Sequence, residues 1–167
     1  MSRLIRGLKS LARELVKPDS YAKGQDFEEY VRKWIFQKDK YEVVHRTHDY
    51  SDNKEDYIED SLNPDFCFRD KSNKKEFYVE AKFRSSYWKD AIEWTYSDQF
   101  KRYNDADQKR PVIIIIGVGG SPKMPEDIFI FPVKAVKYTK LFRSTLRPFD
   151  HQPDSALYPR DLWNMLK

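Results

Sequence analysis

An acid and a lysine stand two residues apart on one predicted strand. Glu76 to Phe83 alternates, with Phe77, Val79, Ala81 and Phe83 toward one face and Glu76, Tyr78, Glu80 and Lys82 toward the other. Glu80 and Lys82 therefore project side by side. Such a pair can bind a divalent cation and hold or activate a water beside it. The tripeptide alone is not diagnostic. Roughly three acid-x-Lys tripeptides are expected by chance in a chain of this composition. Three occur: Asp52-Asn53-Lys54, Glu80-Ala81-Lys82 and Asp107-Gln108-Lys109. Context separates them, because only Glu80-Ala81-Lys82 lies on a predicted strand, and that strand follows one opening with Pro64-Asp65. In a hairpin, Asp65 and Glu80 can approach within the span of one metal ion.

The elements that must position these residues are legible in outline. Leu4, Leu8, Leu11 and Leu15 recur at helical spacing in a basic N-terminal arm that ends at Pro18-Asp19-Ser20. A second helix is predicted from Tyr21 to Gln37, with Phe27, Tyr30, Val31, Trp34 and Ile35 as its buried stripe. Tyr41 to His48 reads as a strand. Residues 49–60, with six acids against Lys54, read as a solvated loop. Asp65 to Arg69 and Glu76 to Phe83 form a hairpin across the turn residues Asp70 to Lys75. A helix carrying Tyr96, Phe100 and Tyr103 on one face follows. Pro111 to Val118 has the continuous apolar pattern of a strand buried on both faces. Asp127 to Val133 reads as a strand nearer an edge, since Pro132 cannot donate to a ladder. The order α-α-β-β-β-α-β-β predicts an α/β fold, a mixed central sheet flanked by helices. Three segments are expected: a basic helix over 1–19, a core domain over 20–139, and an extension over 140–167 wrapped on the domain or on a partner.

Taken together, Pro64-Asp65 and Glu80-Ala81-Lys82 resemble the two acidic motifs of the PD-(D/E)XK, or restriction-endonuclease-like, nuclease superfamily. Gly24-Gln25-Asp26-Phe27-Glu28 resembles its G-x-x-F-E helix element, and the α-β-β-β-α-β order from Tyr21 to Val118 is similar to its core. Gln99 and Tyr103 share a helix face at i and i+4. They resemble the Q-x-x-x-Y element of some branches, including the RecB-like nucleases. The chain departs from that branch in having no histidine before His45 and only one cysteine.

The resemblance implies metal-dependent phosphodiester hydrolysis. Asp65 and Glu80 would bind Mg²⁺ or Mn²⁺, with the Ala81 carbonyl as a further ligand and Glu28 reaching the ion directly or through water. Lys82 would orient or help deprotonate the water, or stabilise the phosphate. Gln99 and Tyr103 would position the lysine or the phosphate. Gly24 leaves room for a backbone to approach, and Arg84, Lys101 and Arg102 are candidate phosphate contacts. The partner is DNA, with RNA and a homodimer left open. Two other readings remain: a nucleic-acid-binding member of the fold that does not cleave, and an interaction module using the N-terminal helix and C-terminal tail.

Other candidates carry less. His45 and His48 fall on opposite strand faces without further zinc ligands nearby. Cys67, between Phe66 and Phe68, reads as a core thiol. Gly117-Val118-Gly119-Gly120 lacks the Lys-Ser/Thr of a phosphate loop and reads as a turn.

Composition bounds the rest. At 167 residues the chain is the size of one domain, and the aromatic content of 16% is too high for a disordered chain. The apolar run from Pro111 to Gly120 is too short to span a bilayer. A single cysteine excludes an internal disulfide framework and a four-cysteine metal site, and fits a reducing, cytoplasmic setting. The net charge of +4 resides in residues 1–17, so the basic balance belongs to the arm.

Deleting residues 1–17 therefore tests two roles for that arm. If its basic face touches duplex DNA, the slope of log K against log[salt] flattens by about 0.9 for each phosphate that the arm had neutralised. If the leucine stripe packs on the domain, the melting temperature falls and the slope is unchanged. Packing is expected to be the larger effect, because a four-leucine stripe is too apolar to remain in water.

Overall fold

The computed structural model describes residues 19–47 and 63–167. The N-terminal arm, His48 and the acidic loop over 49–60 lie outside them. Helix α1 occupies residues 19–30 and continues into a π-turn over Val31–Ile35, where the Phe36 N–H bonds to the Val31 carbonyl at 2.9 Å. The predicted helix over Tyr21–Gln37 thus ends in a wider turn. Val31 and Ile35 stay buried in it.

Strands β1 (Tyr41–Arg46), β2 (Phe66–Asp70), β3 (Glu76–Arg84), β5 (Val112–Ser121), β6 (Met124–Pro132) and β8 (Asp150–His151) form one sheet in the order β1-β2-β3-β5-β6-β8. Among the described strands of this sheet, only β3 and β5 run parallel. The connection between them holds β4 (Ala91–Glu93) and helix α2 (Ser97–Asp107). Strand β4 pairs with β7 (Lys140–Phe142) as a separate ribbon. Short helix α3 (Arg143–Leu146) and helix α4 (Pro159–Met165) complete the chain. The predicted mixed sheet covered by helices is the observed architecture.

The isoleucine run forms the centre of the sheet. Ile113 and Ile115 of β5 join Phe27, Phe66, Phe68, Phe77 and Val79 in one core, beneath α1 and α4. Val112, Ile114, Ile116 and Val118 face the other core, with Trp94, Tyr103, Phe129 and Phe131. A strand buried on both faces must be apolar at every position, so the run lacks alternation. Gly117 continues the strand, contrary to the turn expected there. A Cβ at Gly117 would lie 2.5 Å from the Phe27 ring, so the glycine lets α1 approach the sheet. Gly119 and Gly120, at φ 76° and 64°, supply the left-handed backbone near the end of β5.

The tail is woven into the first core rather than trailing from it. The Leu157 N–H bonds to the Ile35 carbonyl at 3.0 Å, and the Tyr41 hydroxyl donates to the Leu157 carbonyl at 2.7 Å. Tyr30 donates its hydroxyl to Asp154 at 2.9 Å. Trp163 stacks edge-on against Phe77 and donates its indole N–H to Asp70 at 2.7 Å. Asp70 is fully buried, at 0% exposure. Burial works against its charge, but donors from Ser72 and Trp163 outweigh that and hold its carboxyl below the ordinary value.

Trp163→Phe keeps the ring against Phe77 and removes one donor from a buried carboxylate. It should cost about 1–3 kcal/mol of stability, read from denaturant unfolding. A loss within error would show that the Trp163–Asp70 hydrogen bond contributes nothing to holding the tail.

Candidate active site

Strand β3 parts from β2 after Val79, the last residue in register with Phe66. Upstream of Phe66, the β2 chain turns toward β1, where the Thr47 N–H bonds to the Asp65 carbonyl at 3.0 Å. The edge of β3 beyond Val79 would be left unpaired on that side. Asp65 fills the gap, accepting the Ala81 N–H on Oδ2 at 2.9 Å. The Asp65 N–H in turn donates to Glu80 Oε2 at 3.2 Å. Pro64-Asp65 and Glu80-Ala81 are thereby interlocked at the fork.

Glu80 is 5% exposed and its second oxygen serves two partners. Tyr103 donates its hydroxyl to Oε1 at 2.7 Å, and Lys82 Nζ lies 2.8 Å from the same atom. Lys82 Nζ also stands 3.5 Å from Gln99 Oε1 and 5.7 Å from the centre of the Tyr103 ring. Gln99 and Tyr103, one turn apart on α2, thus flank the lysine. Thr95 donates to Gln99 Oε1 at 3.0 Å and fixes that amide. Burial, and then the Glu80 carboxylate, push the Tyr103 phenol far above its usual range, so it remains a donor.

A cleft of about 620 Å³ opens over these groups. It is lined by Gly24 and Glu28 from α1, by Asp65, and by Glu80, Ala81, Lys82 and Arg84 from β3. Seven of the eleven residues singled out in the sequence therefore share one cavity, with Gln99 and Tyr103 behind it. Lys101 and Arg102 do not line it. Lys101 pairs with Asp105 at 2.9 Å on the exposed side of α2. Arg84 faces the cleft, but its guanidinium donates to the carbonyls of Phe83, Glu93 and Trp94. A Cβ at Gly24 would meet nothing within 4 Å, so its bare backbone borders open space.

Two contributors carried no motif. Arg46 bonds Glu28 at 3.3 Å and Glu29 at 3.0 Å, a contact across 18 residues of sequence that no spacing announces. Thr95 precedes Gln99 by four residues, and its place just before the start of α2 turns its hydroxyl toward that side chain.

Burial, and then the charges of Glu80 and Glu28, raise the Asp65 carboxyl well above the ordinary carboxylate value. A cation would relieve that repulsion. Among the described residues, no three His, Cys, Asp or Glu side chains are gathered tightly enough to hold an ion as they stand. The donor set of Asp65, Glu80 and the Ala81 carbonyl, with Glu28 on the same cleft, is nonetheless all hard oxygen. It fits Mg²⁺ or Mn²⁺ by type.

No protein-family model matches the chain, and no curated protein matches it. Among solved structures it is similar to Hjc, a Holliday junction resolvase from the archaeal hyperthermophile Archaeoglobus fulgidus. The match covers 78% of this chain and 91% of the resolvase, with a TM-score of 0.53 at 14% identity. That likeness is one of fold. The chain has the restriction-endonuclease-like fold that its motifs implied.

The raised Asp65 pKa has a consequence for stability. The folded protein holds this proton more tightly than the unfolded chain, so stability falls as pH rises from about 4 through the raised value. In chelator, Asp65→Asn should flatten that fall, and Mg²⁺ should reduce it in the wild type. Thermal melts across pH check both. Equal slopes in variant and wild type would show that Asp65 is not the titrating group.

Proposed function

We propose that this chain is a divalent-metal-dependent nuclease that hydrolyses phosphodiester bonds in DNA. The observation carrying this reading is the convergence of Glu28, Asp65, Glu80 and Lys82 on one cleft, with Lys82 Nζ held 2.8 Å from Glu80. The restriction-endonuclease-like fold supports it, as does the similar resolvase, whose name makes DNA the first substrate class to test.

Asp65, Glu80 and the Ala81 carbonyl are the residues that would hold Mg²⁺ or Mn²⁺, with Glu28 as a further carboxylate. When bound, such an ion neutralises charge on the scissile phosphate and lowers the pKa of water at the site. Lys82 supplies the chain's own electrostatic contribution, orienting the attacking water or the phosphate. Gln99 and Tyr103 act as positioning residues, holding the Lys82 ammonium and the Glu80 carboxylate against rotation. Gly24 lets a phosphate backbone come close to α1. Arg84 adds positive charge at the cleft wall while its donors stay on backbone carbonyls, and Lys101 and Arg102 stand away from the cleft.

Incubation of the purified chain with linear, circular, single-stranded and branched DNA, and with RNA, tests the reading. Products should form with Mg²⁺ or Mn²⁺ and vanish with chelator. Binding without products under every condition would instead identify a non-cleaving member of the fold. Lys82→Ala should keep the fold and most metal binding while slowing cleavage about 10²–10³-fold. Unchanged turnover in that variant would overturn the role given to the lysine.

A further inference from the structure

The ribbon of β4 and β7 exposes an aromatic face beside the cleft. Tyr138, Lys140 and Phe142 alternate outward, while Leu141 between them is buried with Ile92 of β4. Tyr138 is 71% exposed and Phe142 51%. Trp88, 67% exposed, stands at the base of the turn leading into β4. Lys89 Nζ lies 4.5 Å from the centre of the Trp88 ring. Lys140 Nζ lies 5.7 Å from the Trp88 ring and 5.7 Å from the Phe142 ring. Ala91, directly across from Phe142, is small and leaves that ring uncovered.

These rings are held firmly. Trp88 and Ala91 exchange both backbone hydrogen bonds, at 2.9 and 3.1 Å, around a two-residue turn. Its residues, Lys89 and Asp90, sit at φ 49° and 59°. Both belong to the left-handed region, where such a turn ordinarily uses Asn and Gly. The Arg143 N–H anchors the turn by bonding to the Asp90 carbonyl at 2.9 Å. A tied-down turn with two residues in left-handed backbone, presenting an indole that is two-thirds exposed beneath mobile lysine side chains, is the pattern of a binding feature rather than of packing.

The face lies a short chain distance from the cleft. Ser85 lines the cleft and Trp88 follows three residues later, so their Cα atoms are at most about 11 Å apart. That is about three steps along a DNA strand. Arg84, also on the cleft, clamps the end of β3 to β4 through the Glu93 and Trp94 carbonyls, each at 2.8 Å.

We infer that this ribbon is a stacking platform for unpaired bases of DNA that emerge from the cleft, with Trp88 and Phe142 as the stacking rings. The inference rests on the reading of the cleft as a DNA site. Aromatic faces accept any base, and the long Lys89 and Lys140 side chains, which lie over the rings in the free protein, would swing aside to pair with the phosphates of stacked nucleotides. Glu93 faces Lys140 across the ribbon and Asp90 adjoins Lys89, so the surface is not a general basic patch. Stacking is accordingly the dominant interaction. The platform favours substrates with a single-stranded segment over fully paired duplex.

Binding in chelator, read by fluorescence anisotropy of the full chain, tests this without requiring cleavage. The probes are a blunt duplex and the same duplex with a single-stranded tail. The wild type should bind the tailed duplex more tightly. Trp88→Ala should weaken tailed binding about tenfold or more and change blunt binding less than about twofold. Trp88→Phe should recover most of the loss, and the salt slope of tailed binding should stay the same in Trp88→Ala. Equal wild-type affinity for both probes, or equal losses on both, would overturn the platform. So would a Trp88→Ala variant with unchanged DNA binding but lower melting temperature or altered sedimentation, which would make the ring a packing or protein-contact residue. A wild type that prefers tailed DNA yet cuts nothing in Mg²⁺ would leave the platform standing and overturn the nuclease reading. One that cuts blunt DNA without any tail preference would do the reverse.

Discussion

The fork between β2 and β3 is the constraint on which the rest of the site depends. Two antiparallel strands that separate leave backbone donors without partners, and a buried unpaired N–H is costly. Here the Asp65 carboxylate accepts the Ala81 N–H, and Glu80 accepts the Asp65 N–H. The two acids are thus drawn together by backbone bonding as well as by strand register. Burial, and then the nearby Glu80 charge, raise the Asp65 pKa, and the proximity of the two acids makes the site receptive to a cation.

The parallel pairing of β3 with β5 fixes what lies behind that fork. A parallel pair needs a crossover, and this crossover carries α2 over the sheet. Helix α2 delivers Gln99 and Tyr103 to Lys82 and Glu80 from the core side, while α1 delivers Glu28 and Gly24 from the cleft side. The catalytic candidates stand where the two layers meet at the end of β3. The buried isoleucines of β5 provide a rigid base for them.

The elements that frame the cleft are secured at a distance. Helix α1 approaches the sheet because Gly117 has no side chain to meet Phe27. Its C-terminal turn is held by the tail through the Ile35–Leu157 backbone bond and the Tyr30–Asp154 pair. On the other face, Trp94 packs among Tyr103, Phe100 and Phe131 and donates its indole N–H to the Tyr138 carbonyl. The ribbon carrying Trp88 and Phe142 is therefore tied to the same core that holds Tyr103.

Residue type and spacing alone determined the alternation of β3, the hairpin with β2, the double burial of β5 and the helical pairing of Gln99 with Tyr103. These are local patterns, with period two or nearly four, and they survive without tertiary information. They sufficed for the α/β architecture and for bringing Asp65 opposite Glu80. Tertiary structure decided what no local period encodes. The three-residue strands β4 and β7 and the two-residue β8 are too short to leave a pattern and exist only because their partners meet them. Gly117 read as a turn because a missing side chain looks the same whether it frees the backbone or admits a neighbouring helix. Arg46 reached Glu28, and Arg84 turned its donors to carbonyls, through contacts between elements distant in sequence. Such contacts depend on how layers pack, which a linear pattern of apolar and polar residues does not contain.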